Sequence, residues 1–202
     1  MRLKLSLEES EMVLAPHLSK LTSSIKKGFT DYMDLVGYDC YSKERIITFN
    51  SRTKATLIQN LILERIKENF ANVPGVACKE YKGVFGLLIG NQIFIRFNKF
   101  NKRLEPAKAK TTQSKKFEKQ QTVIKGFPRK PMFLYAGYTF TSSMTGIGSI
   151  HLALRVKGHQ EWIKELFNGL AIQQPIANLT PVIEKPAKRV RVKQTVQIQQ
   201  AS

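Results

Sequence analysis

Between Lys54 and Phe70 the apolar residues Leu57, Ile58, Leu61, Ile62, Ile66 and Phe70 recur at three- and four-residue steps, the spacing that gathers side chains on one face of an α-helix. Gln59, Glu64, Lys67 and Glu68 fall on the other face, so the segment reads as a surface helix with one side on a core. Thr53 is placed to cap its start, and Asn72-Val73-Pro74-Gly75 supplies a stop and a turn.

The pattern then changes from a helical to an extended one. Short apolar and aromatic runs predict strands over Val76–Tyr81, Val84–Ile89 and Gln92–Phe97. Gly90-Asn91 between the last two is a two-residue hairpin signal, because tight hairpin turns need a residue at positive φ. Met132–Phe140 and Gly146–Val156 predict a second hairpin around the Thr-Ser-Ser-Met-Thr loop. Periodicity does not decide whether residues 161–167 form a final strand or a helical turn. The predicted fold class is α+β: an antiparallel sheet of two hairpins packed on one main amphipathic helix.

Residues 98–130 break this pattern. Eleven basic residues stand there against Glu105 and Glu118 alone, and the segment reads as a connection over the surface with a short polar helix over Thr112–Gln121 anchored by Phe117. The expected organisation is an N-terminal segment over 1–20, a single domain over 21–170 containing the basic connection 98–130, and a disordered basic tail over 171–202, whose Pro-punctuated, polar sequence buries too little to offset ordering entropy. The first 20 residues leave two readings open, an amphipathic helix or a segment that packs with a partner.

Charge gives these segments a direction. The 33 Lys and Arg outnumber the 15 Asp and Glu, for a net +18 and a pI near 10.0. Such an excess repels itself in a compact chain and is most easily tolerated when a polyanion neutralises it, so nucleic acid is the expected partner. Basic residues alternate with aromatics in Arg96-Phe97-Asn98-Lys99-Phe100-Asn101-Lys102-Arg103 and in Phe127-Pro128-Arg129-Lys130. Lysine and arginine neutralise phosphates, and exposed rings stack on unpaired bases, although rings in strands are more often core. The expected nucleic-acid-binding residues are Arg96, Lys99, Lys102, Arg103, Lys108, Lys110, Lys115, Lys116, Lys119, Lys125, Arg129 and Lys130.

Cys40 and Cys78 sit in apolar or aromatic sequence, which suits reduced thiols, a reducing compartment and a cytoplasmic location. No stretch approaches the roughly 18 apolar residues of a spanning helix, so no membrane association is expected. Lys185–Lys193 resembles a nuclear-import signal, the commoner meaning being a solvated tail.

Catalytic chemistry is thinly represented. His17, His151 and His159 lie far apart and in no metal-binding motif, so no metal site is expected. Ser149 and His151 share a strand face but have no evident acid to orient them. A helix bearing Glu64 and Glu68 followed by three strands resembles the core of the PD-(D/E)XK nucleases, with Glu80-Tyr81-Lys82 as the acid-x-lysine element. In such enzymes clustered carboxylates hold Mg²⁺; here the strands over 84–97 contain none. Glu80 and Lys82 are the nuclease candidates, Mg²⁺ is implied only if that alternative holds, and otherwise no cofactor is expected.

Ile89-Gly90-Asn91, Ile95-Arg96-Phe97 with Lys99, Gln120-Gln121, Gly126-Phe127-Pro128 and Ala136-Gly137-Tyr138 resemble a family of uncharacterised bacterial proteins encoded beside helix-turn-helix/ImmA-type peptidase proteins, in toxin–antitoxin-like or phage-defence pairs. The resemblance covers about half the chain and implies an effector held in check by a regulatory protein partner; it transfers no catalytic residue. The expected function is therefore nucleic-acid binding, with a Mg²⁺-dependent nuclease and a non-catalytic protein that meets an acidic protein partner as alternatives. Whether the chain is an enzyme, and its oligomeric state, stay open.

Overall fold

The computed structural model describes residues 4–37, 49–81, 83–107, 111–121 and 130–169. Within them lie three helices and six strands: α1 (Leu7–Leu35), α2 (Ser51–Phe70), β1 (Val76–Tyr81), β2 (Val84–Ile89), β3 (Ile93–Lys99), α3 (Thr112–Glu118), β4 (Met132–Phe140), β5 (Ile147–Val156) and β6 (His159–Asn168). This is the expected α+β class, with both expected hairpins. The basic tail over 171–202, including Lys185–Lys193, lies outside the described residues, as does Cys40.

The strands form one sheet in chain order from β1 to β6. Every neighbouring pair is antiparallel except β3 and β4, which run parallel from Ile93 beside Met132 to Lys99 beside Tyr138. The two hairpins thus belong to two three-stranded meanders joined by a parallel seam. A parallel pair requires a connection that returns along the sheet, and residues 100–131 provide it. Asn91 and Gly90 both take positive φ in the β2–β3 turn, the conformation that turn demands. The segment over 161–167 resolves as strand: Trp162 and Ile163 pair with Leu154 and Ala153 of β5.

Two long helices, rather than one, cover the first face of the sheet. Residue 20 lies in the middle of α1, so the N-terminal segment and the residues after it form a continuous element. A capping box begins α1: Ser6 Oγ accepts from the Glu9 amide at 3.1 Å while the Glu9 carboxylate accepts from the Ser6 amide at 2.7 Å. Pro16 sits on the exposed side of α1, as does Met12, whose carbonyl it leaves without an amide partner. The start of α2 falls at Ser51, before the predicted position, because Asn50 is the cap and accepts from the Thr53 amide at 2.8 Å. Ile58, Ile62, Ile66 and Phe70 of α2 meet Leu21, Ile25 and Phe29 of α1 over Ile95, Leu134 and Leu152 of the sheet.

The two helices come close together at Gly28: a Cβ there would lie 2.5 Å from the Ile62 Cα. One turn earlier, buried Ser24 accepts a 2.8 Å hydrogen bond from Asn69 of α2. On the outer side Arg65 holds both carboxylate oxygens of Asp31, Nη2 to Oδ1 at 2.7 Å, and also reaches Glu68 at 2.9 Å. The Arg65 guanidinium keeps the Asp31 carboxyl below the usual carboxylate range. A group whose pKa is depressed by folding stabilises the fold above its unfolded value and loses that contribution as pH falls through the folded value. Asp31→Asn should therefore lower the urea midpoint at pH 7, and the difference from wild type should shrink progressively below about pH 4. A difference that stays constant down to pH 2 would remove the ionic explanation.

Candidate functional site

The second face of the sheet is covered by the connection itself. Phe94, Phe133, Tyr135 and Ala153 form its floor, and Phe100 and Phe117 drop onto it from above. Thr111 caps α3, and this seven-residue helix is too short to persist alone, so Phe117 holds it in place. Its ring stacks on Phe133 at 4.3 Å and meets the edge of Tyr135 at 5.0 Å. Phe100 covers Gly137, where a Cβ would stand 2.1 Å from the ring.

Gln120 fastens the end of α3. It takes a positive φ, and its amide accepts from the Phe133 N–H at 2.9 Å while donating to the Phe133 carbonyl at 2.7 Å and the Arg155 carbonyl at 3.2 Å. A side-chain amide here does the work of a strand neighbour. Arg96 lies with its guanidinium 5.8 Å from the Phe117 ring centre and beside the Tyr135 hydroxyl, whose pKa burial pushes well up while the Arg96 charge opposes the rise. Arg96 and Gln120 therefore both brace α3 against the sheet.

With its one large apolar residue turned inward, α3 leaves Lys115, Lys116 and Lys119 exposed. Lys102 and Arg103 project from the turn before it, and Lys130 from the chain after it, all exposed. The acids are placed differently. Glu105 is turned toward Arg155, whose Nη2 lies 3.4 Å from the carboxylate and donates to the Gly158 carbonyl at 2.6 Å. Arg155 is only 2% exposed. The connection thus uses one of its two carboxylates to neutralise an interior cation and leaves its lysines outside. Lys108, Lys110, Lys125 and Arg129 lie outside the described residues, as does Phe127.

Of the two readings of the aromatics in this segment, core and stacking platform, the structure gives the commoner one. Phe97 and Phe100 are 3% and 2% exposed and serve as core. Alternation explains the outcome: in Arg96-Phe97-Asn98-Lys99 the side chains take opposite faces of β3, and both faces of this sheet are covered. What sequence reasoning missed is a cleft beside β3. The β2–β3 pairing ends with Gly86 opposite Arg96, while Phe85 and Val84 continue beside β1 alone. Into the gap face Arg52, Thr56, Gln59 and Asn60 of α2, with Asn98 and Lys99 of β3. No motif joins these segments in sequence, so only the fold brings them together.

The remaining candidates are scattered. Glu80 is exposed on edge strand β1, and Lys82 lies outside the described residues. Among the described residues no group of three His, Cys, Asp or Glu side chains is placed to hold a metal. His151 is buried and contacts Ser149 Oγ through Nε2 at 2.9 Å; Ser149 in turn contacts Thr139 at 2.7 Å. Burial lowers the His151 pKa, which suits a neutral ring inside a hydroxyl chain. Cys78 is a free, half-buried thiol whose pKa burial raises. Among the described residues no helix is long and apolar enough to cross a membrane. Comparison with family models, with curated proteins and with solved structures finds no match to this chain.

Proposed function

We propose that the face covered by α3 and the preceding turn binds nucleic acid through its phosphates, with little reading of base identity. The observation that carries this reading is the segregation on α3: Phe117 points into the sheet while Lys115, Lys116 and Lys119 all face solvent. Lys102, Arg103 and Lys130 extend the positive surface; of the two acids in the connection, Glu105 is turned toward an interior arginine and Glu118 is half-buried at the end of α3. Lysines without neighbouring exposed rings supply counterion release but no stacking platform. An acidic protein regulator, of the kind the resemblance implies, would compete for the same lysines.

The test is fluorescence anisotropy of labelled duplex DNA, single-stranded DNA and RNA across a salt series. Wild type should lose affinity steeply and linearly in log–log form. Changing Lys115, Lys116 and Lys119 together to Gln should flatten the slope by about 2 to 3, since each lost phosphate contact removes about 0.7 to 0.9. An unchanged slope, or no binding even at low salt, would dismiss this face as the interface.

A further inference from the structure

We propose that the cleft between α2 and the end of β3 is a binding site for a nucleoside phosphate monoester, a ligand bearing one terminal phosphate on a sugar and base. The cleft measures about 480 Å³, within the range of pockets that enclose small ligands. It opens because β2 leaves β3 at Gly86, where the backbone passes so close that a Cβ would stand 2.5 Å from the Ile95 carbonyl oxygen. Gln59 bridges the floor of the gap, donating to the Phe97 carbonyl at 3.1 Å and accepting from the Tyr138 hydroxyl at 2.8 Å.

The lining has the chemistry of such a ligand in three parts. Arg52 and Lys99 supply two positive charges, and among the described residues no carboxylate lines the cleft and none pairs with these two cations. The Lys99 ammonium is held 4.7 Å from the Phe140 ring centre, inside the cleft. Uncompensated cations converging on a concavity are suited to a phosphate dianion. Asn98 Oδ1 is buried at the wall and has no hydrogen-bond partner. A buried acceptor left unpaired costs free energy, and a rotation of the Asn98 side chain toward the cleft would let an exocyclic amine or sugar hydroxyl satisfy it. The half-buried ring of Phe85 lines the same space and offers an apolar surface for a base.

This site shares Lys99 with the expected interface and does not depend on α3. A free nucleotide fills it whether or not a strand lies on the lysine layer, and a 5′-phosphorylated strand end presents the same chemistry.

Isothermal titration calorimetry of the full chain with nucleoside monophosphates, inorganic phosphate and the unphosphorylated nucleosides tests the proposal. At least one monophosphate should bind tenfold or more tightly than either phosphate or its nucleoside. Arg52→Gln with Lys99→Gln, both exposed positions, should weaken it at least tenfold, while the α3 triple variant should leave it unchanged. Absence of monophosphate binding at millimolar concentration, or equal loss in the α3 variant, would overturn the site. A preference for 5′-phosphate over 5′-hydroxyl oligonucleotides, abolished by the Arg52/Lys99 pair of changes, identifies the strand end as the source; monophosphate binding without that preference identifies the free nucleotide. Monophosphate binding by a protein that ignores long nucleic acid would sink the lysine face and sustain the cleft.

Discussion

Phe117→Ala should cost about 3 to 5 kcal/mol, the range for emptying a fully buried aromatic site, and should remove α3 from the sheet. Phe117 is wholly buried and is the anchor of a seven-residue helix whose other inward side chain is the small Ser114. Its ring contacts Phe133, Tyr135 and Phe94. Without it the helix has no tertiary support, and its own hydrogen bonds are too few to hold it. Urea denaturation would read the stability, and amide exchange over residues 112–118 would read the undocking. Phe117→Leu, which keeps much of the volume, should recover most of the loss. Polyanion affinity should fall with undocking, although no lysine is touched. Full stability together with retained amide protection in the alanine variant would show that Phe117 is not the anchor.

Glu105→Ala should cost about 3 kcal/mol, because it removes the half-buried carboxylate beside a fully buried cation, which then keeps only its bond to the Gly158 carbonyl. The cation left behind is Arg155, at the end of β5, whose Nε already lacks a partner. Adding Arg155→Met should recover part of the loss, since the uncompensated charge then disappears while the stem volume remains. Thermal or urea unfolding of the two variants decides the matter. A double variant less stable than Glu105→Ala would mean that the bond from Arg155 to the Gly158 carbonyl outweighs the cost of the buried charge.

The parts of this fold that could be read in the sequence are those governed by local rules. Gly90-Asn91 is a turn by backbone chemistry alone, and Ile58, Ile62, Ile66 and Phe70 mark a core face by spacing alone. The helix α1 escaped because its packing face contains residues that signal against helix. Ser24 and Gly28 are poor helix formers, yet they are the residues that let α2 approach to 2.5 Å from a would-be Gly28 Cβ. Pro16 reads as a break until its exposed position is known. The same limit applies to the candidate site. The lysines of 98–130 were legible as a surface layer, but the burial of Phe97 and Phe100 depended on both sheet faces being covered. The cleft depended on where β2 leaves β3, a property of register that no single segment encodes.

An open sheet has two borders, here β1 and β6, and each border is a template on which another chain could add a strand. β1 places Lys79 and Glu80 in solvent, and β6 places His159, Gln160, Glu161 and Glu165 there. The β5–β6 register shifts twice, between Ile150 and His151 and between Leu154 and Arg155, and such irregularities bend a strand away from a flat partner. Exposed charges of both signs on β1, and exposed acids with an irregular line on β6, make strand addition unfavourable along these borders. The features that leave residues 161–167 ambiguous as a strand are thus the ones that keep that border from nucleating an aggregate.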